Sequence, residues 1–123
     1  MDYEKSLAIR RRLKQRKAAH LEALRRETSR IVEEAAKMGA KKVILFGSFS
    51  QGSACIFSDL DILIIMDSEL DFLTRTTEAY KRLKPEVGTD ILIYTPDELK
   101  MMLKHKNEFI RRAFTEGQVL YEA

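Results

Sequence analysis

The sequence predicts an α+β domain, a mixed β-sheet flanked by helices and preceded by a long N-terminal helix. Three observations carry this expectation. From Glu4 to Met38 the chain has neither proline nor glycine and is rich in Leu, Ala, Arg, Lys and Glu, the composition of one long helix. Short apolar runs at Val43–Phe46, Ile62–Met66 and Ile91–Tyr94 have the length and β-branched content of strands. Between and after them, Phe72, Leu73, Thr76, Tyr80 and Leu83, then Leu99, Met102 and Leu103, recur at helical spacing.

In the first helix, Leu21, Leu24, Thr28, Ile31, Ala35 and Met38 form a stripe for packing, and Gly39 supplies the stop. Earlier, Leu7, Ile9 and Leu13 are sparse among Arg10, Arg11, Arg12, Lys14, Arg16 and Lys17, so the first third should project from the core. A strand from Lys42 to Phe46 leads into a tight turn and short helix over 48–54, and a second strand covers 60–66. The helix over 72–83 should end at Pro85, and Gly88 turns the chain into a third strand, Thr89–Tyr94. Thr95-Pro96-Asp97-Glu98 has the form of a capping box with proline at the first helical position. Asn107 caps a further helix bearing Phe109, Ile110, Ala113 and Phe114, Gly117 closes it, and 118–121 form a short final strand. The chain divides into a basic amphipathic helix over 1–40 and a compact domain over 41–123.

At 123 residues, such a domain has one core and little left for a separate substrate module. Apolar residues make up 45% and charged ones 33%, and no apolar stretch approaches the ~20 residues of a membrane span. Charged residues rather than a hydrophobic signal core follow the N-terminus, and the lone Cys55 has no internal disulfide partner, so a cytoplasmic location is expected. The net charge of +3 hides an asymmetry. Residues 1–42 carry 13 Lys/Arg against 6 Asp/Glu, and residues 43–123 carry 9 against 13.

The chemistry concentrates in GSFSQGSACIFSDLDILIIM, residues 47–66. Alternate residues of a strand share a face, so Asp59 and Asp61 project together at the mouth of the second strand. Two carboxylates on one face repel unless a cation lies between them, and Mg²⁺, which binds oxygen ligands, normally arrives with phosphates. Gly47 lets backbone approach a phosphate closely, the Ser48 hydroxyl can donate to phosphate oxygens, and Gly52 lets the turn tighten. Asp90, at the start of the third strand, completes a three-carboxylate set if its strand pairs beside theirs. Two Mg²⁺ ions ~3.5–4 Å apart can stabilise the attacking and leaving oxygens of an in-line displacement. The third carboxylate can draw the proton from an incoming hydroxyl.

Gly47-Ser48, Gly52, Ser58-Asp59-Leu60-Asp61 with its apolar run, Asp90 before the next apolar strand, and the ending EGQVLYE together resemble the nucleotidyltransferase superfamily of DNA polymerase beta. The likeness is to its minimal nucleotidyltransferase branch and extends over about 41–123. It implies a nucleotidyltransferase fold and transfer of a nucleoside monophosphate, AMP in the first instance, from ATP or another nucleoside triphosphate to an acceptor hydroxyl. Carried over residue by residue, it implies triphosphate contacts at Gly47, Ser48, Gln51, Gly52 and Ser58, and two Mg²⁺ held by Asp59, Asp61 and Asp90, the last also the base. It further implies a partner protein, a small helical one of the HEPN type in a toxin–antitoxin module, or a homo-oligomer. One departure stands out: Gln51 occupies the place where the branch often has arginine, which keeps a donor and loses a charge. A non-catalytic nucleotide-binding antitoxin or regulatory module is the first alternative. Nucleic-acid binding through the basic helix is the second, and its affinity would fall steeply with salt.

Overall fold

The computed structural model describes residues 2–123. Its elements are α1 (Tyr3–Lys37), β1 (Lys42–Phe46), α2 (Gly47–Ser50), β2 (Leu60–Ile65), α3 (Phe72–Leu83), β3 (Thr89–Tyr94), α4 (Pro96–Lys104), α5 (Glu108–Glu116) and β4 (Gln118–Glu122). The strands form one mixed sheet in the order β3-β2-β1-β4. β1 runs antiparallel to β2 and β4, and β2 runs parallel to β3 with α3 as the crossover between them.

Both sheet faces are covered, which explains why β1 and β2 read as unbroken apolar runs rather than alternating ones. On one face Val43, Leu45, Leu60, Ile62 and Ile64 meet Leu24, Ile31 and Ala35 of α1 and Ala79 and Leu83 of α3. On the other, Ile44, Leu63 and Ile65 meet Ile110 and Ala113 of α5, with Leu99 and Met102 of α4 packed alongside. Each fully buried Leu or Ile contributes about 1.5–3 kcal/mol. Among the described residues no helix is long and apolar enough to cross a membrane.

The second half of α1 packs through the stripe expected for it, with one addition. Glu27 is only 4% exposed and accepts hydrogen bonds from the Arg30 side chain and from the Glu86 backbone N–H at 3.2 Å. The Arg30 hydrogen bond, more than burial, decides the balance and holds the Glu27 carboxyl below its usual range. Most side chains between Tyr3 and Ala19 are exposed, Ile9 and Leu13 included, so the first third does project.

The face of α3 differs from the apolar stripe expected. Leu73 points into water, 76% exposed, and the buried positions are Arg75, Ala79 and Leu83. α3 ends at Leu83, two residues before the proline: the cap, Lys84, takes a left-handed conformation at φ 45°, and its N–H bonds the Tyr80 carbonyl.

Arg75 can be buried because each part of its guanidinium has a partner. It donates to the carbonyl oxygens of Leu70 at 3.0 Å and Ile93 at 3.1 Å, and to the Glu98 carboxylate. Glu98 is the acid of the capping box and also accepts from the Thr95 N–H at 2.8 Å. Arg75 thereby ties α3 and the end of β3 to the start of α4. Arg75→Met strands two carbonyls and a carboxylate and is expected to destabilise the chain by about 2–4 kcal/mol in urea unfolding. The Arg75 hydrogen bond is the main reason the Glu98 carboxyl is lowered from 4.5 to about 2. A depressed folded-state value gives stability that is present above pH 4.5 and lost as the pH falls toward 2. Because Glu98 is partly exposed, solvent screens the contribution, so the expected sign is a modest decline over that window that Arg75→Met largely removes.

Candidate active site

Strand register brings the carboxylates together. Asp61 in β2 lies opposite Asp90 in the parallel neighbour β3, and on its other side opposite Phe46 at the end of β1. Residues opposite one another in a sheet share a face, and Leu63 and Ile65, in phase with Asp61, pack toward α5. Asp61 and Asp90 therefore emerge on the α4–α5 side, and Asp59, one residue before β2, is near enough for its charge to act on Asp61. Asp61 is half-buried, and Asp59 and Asp90 are exposed at the strand ends.

Two glycines make room for two of the carboxylates. A Cβ on Gly47 would lie 2.1 Å from Oδ2 of Asp61, and one on Gly88 would lie 2.3 Å from Oδ1 of Asp59. Gly47 also has φ +78°, a conformation that an L side chain takes only with strain. The sequence pattern shows Gly47 as a phosphate-loop residue and Gly88 only as a turn. That each is a bed for an acid emerges in three dimensions.

The acids feel one another. Burial first, then the negative charges of Asp90 and Asp59, push the Asp61 carboxyl above the usual carboxylate range. The backbone around Asp90 is pinned from α3, where the Tyr80 hydroxyl donates to the Thr89 carbonyl at 2.8 Å and accepts from the Ile91 N–H at 2.9 Å. Those groups face outward from an edge strand and would otherwise be unpaired. Tyr80 reads as a packing residue in sequence, because nothing in its spacing reveals a hydroxyl that spans both neighbours of an aspartate.

Around the turn after β1, the Ser48 hydroxyl donates to Oγ of Ser58 at 3.0 Å, and Ser58 Oγ also accepts from the Cys55 N–H at 2.8 Å. Gly52 takes φ +74°, and a Cβ there would meet nothing within 4 Å, so its contribution is to the turn itself. Gln51 differs from the picture of a donor aimed at phosphate. Its amide Nε2 donates instead to the Glu116 carbonyl at 2.9 Å, fastening α2 to the end of α5. Beside Gly47 a groove of about 440 Å³ is lined by Phe46, Gln51, Phe109, Arg112 and Glu116, among others.

Among the described residues no three Asp, Glu, His or Cys side chains stand close enough together, as placed, to enclose a metal ion. The donor set is nevertheless the right kind for a hard divalent cation. All its donors are carboxylate oxygens, two of them belong to register neighbours, and burial first, then the charges of the other two acids, raises the proton affinity of the half-buried Asp61.

Comparison with known proteins decides the family. The model of the family described as "Polymerase beta, Nucleotidyltransferase" matches residues 29–123. The chain belongs to this nucleotidyltransferase family, and it is a transferase. It is 35% identical over 81 residues to a protein of Methanocaldococcus jannaschii named "Putative protein adenylyltransferase MJ0604", covering 66% of this chain and 78% of that one. A crystal structure of a "putative nucleotidyltransferase from Sulfolobus solfataricus" has the same fold, with TM-score 0.57 at 20% identity over 88% of this chain and 85% of that one. The fold read from the sequence, a mixed sheet flanked by helices behind a long N-terminal helix, is the fold of this nucleotidyltransferase. The family match begins inside α1, so part of that helix belongs to the shared region.

Proposed function

We propose that this nucleotidyltransferase moves a nucleoside monophosphate, AMP in the first instance, from a Mg²⁺-bound triphosphate to a hydroxyl on a protein. The observation that carries the reading is the placement of Asp61 against Asp90 and beside the Gly47–Ser48 turn, on one face at one end of the sheet. The name of the Methanocaldococcus relative supports a protein acceptor. A small helical HEPN-type protein in a toxin–antitoxin pair is the partner the resemblance implies.

In this reading Asp59, Asp61 and Asp90 would hold Mg²⁺, two ions in the family's usual scheme, which supplies charge neutralisation at the phosphates when bound. The Gly47 backbone and the Ser48 hydroxyl grip the triphosphate, the Ser48 proton turning from Ser58 Oγ to a phosphate oxygen as the nucleotide binds. The groove beside Gly47 has the size that takes a small-molecule ligand and accommodates the nucleoside. Asp90 accepts the proton of the acceptor hydroxyl, whose oxygen bonds to the α-phosphorus as the bond from that phosphorus to the pyrophosphate oxygen breaks.

The test is incubation of the chain, with partners co-purified from its own cells, with Mg²⁺ and each α-labelled triphosphate. The expected result is transfer of label to a protein with equimolar pyrophosphate release, both abolished by chelation. Pyrophosphate release that survives chelation, or no label on any protein with any triphosphate, overturns the proposal.

A further inference from the structure

One turn of α1 reaches the loop that carries the site. His20 Nε2 lies 2.6 Å from the carbonyl oxygen of Ser58. A carbonyl oxygen can only accept, so Nε2 carries the proton and donates, and the neutral and the cationic ring can both make this bond. On either side of His20, Lys17 lines a groove with Gly52 and Ala54, and Leu21 packs against the core.

Ser58 is the node of that loop. Its Oγ gathers the Ser48 hydroxyl and the Cys55 N–H, and its carbonyl opens the peptide bond to Asp59. The segment from Ser53 to Asp59 belongs to no helix or strand, and the backbone bond within its Cys55–Ser58 turn is Ser58 N–H to the Cys55 carbonyl at 3.1 Å. A loop without a ladder takes its position from side chains that reach it, and the imidazole of His20 reaches it from outside. The sequence gives no sign of this, because 38 residues separate the two partners and a lone histidine on a charged helix looks like surface.

We infer that His20 is a positioning residue for nucleotidyl transfer. By holding the Ser58 carbonyl it sets the place of the Ser48 hydroxyl and of Asp59, which makes α1 a working part of the site. The inference rests on the reading that the Gly47–Ser48 turn grips a triphosphate. Among the described residues His20 makes its hydrogen bond to the Ser58 carbonyl and none to Ser48 or a carboxylate, so its effect passes through Ser58.

Wild type, His20→Ala and His20→Gln are compared, Gln being the residue whose Nε2 amide can replace the ring donor. The measurements are Mg²⁺-ATP dissociation constants, KM and kcat for pyrophosphate release, and amide hydrogen exchange. His20→Ala is expected to raise the dissociation constant and KM about three- to tenfold, the worth of one hydrogen bond, with most of the loss in KM rather than kcat. Amides of 55–59 should exchange faster in His20→Ala, and His20→Gln should recover both properties. Unchanged nucleotide affinity in His20→Ala overturns the inference. So does a loss of kcat at constant KM with a lowered melting temperature and no recovery in His20→Gln, which would mark a purely structural role. A wild-type chain that binds no triphosphate overturns the proposed function and this inference with it, a result distinct from wild-type binding that His20→Ala leaves untouched.

Discussion

If Asp61 holds Mg²⁺ as proposed, Asp61→Asn is expected to lower Mg²⁺-dependent pyrophosphate release by at least about 10³-fold, because a metal that neutralises transition-state charge contributes several kcal/mol and each 1.36 kcal/mol is tenfold in rate. The substitution keeps the shape of the side chain that lies against Gly47, so the fold has no steric reason to change. It removes a negative charge from a half-buried position that faces two others. An acid whose folded-state value is raised penalises the folded chain above its ordinary titration range, so at neutral pH the native aspartate destabilises the metal-free protein. The asparagine variant should therefore be at least as stable as the parent in urea at pH 7 without Mg²⁺, while losing turnover. A variant that transfers label as well as the parent excludes Asp61 from the chemistry. A variant that is inactive because it is unfolded would show that the residue holds the sheet end together instead.

Gly47→Ala is the second large effect, and it acts through position rather than charge. The new methyl group must displace the Asp61 carboxylate, since the ideal Cβ lies 2.1 Å from Oδ2 and 3.0 Å from Cγ. Asp61 lies between Phe46 of β1 and Asp90 of β3, so a displaced carboxylate also changes its position relative to Asp90. A displacement on the order of 1 Å at a reacting centre can lower the rate about 10²-fold. The backbone at φ +78° adds strain of about 1–2 kcal/mol once a side chain is present. Gly39→Ala separates the two causes. Gly39 has φ +97° with nothing within 4 Å of an added Cβ, and it lies outside the site. A stability loss in both variants that is no smaller in Gly47→Ala, with turnover lost only in Gly47→Ala, is the expected pattern in unfolding and pyrophosphate-release assays. Comparable turnover in both would mean that Asp61 needs no fixed position.

Much of this molecule was legible in the chain because its signals are local. The apolar runs of β1, β2 and β3, the Thr95–Glu98 capping box, the Asn107 cap and the proline-free α1 each encode their element within a few residues, and each appears where expected. Other features depend on partners distant in sequence. Arg75 was hidden in α3 because burying a guanidinium requires Leu70, Ile93 and Glu98 to converge on it, and helical spacing favoured Leu73 for that face. Nothing local shows that Gln51 donates to the Glu116 carbonyl, because that tie spans 65 residues.

The sequence by itself determined the elements, their order and the family's signature of acids after a glycine-serine turn, since these follow from backbone preference and side-chain periodicity over short spans. Only the tertiary structure decided that Asp90 sits in register with Asp61, that Gly47 and Gly88 lie beneath carboxylates, and that Tyr80 and His20 fasten the backbone beside them. Strand pairing and side-chain reach bring together groups the chain keeps tens of residues apart, and no local pattern records which distant group will fill a given hydrogen bond.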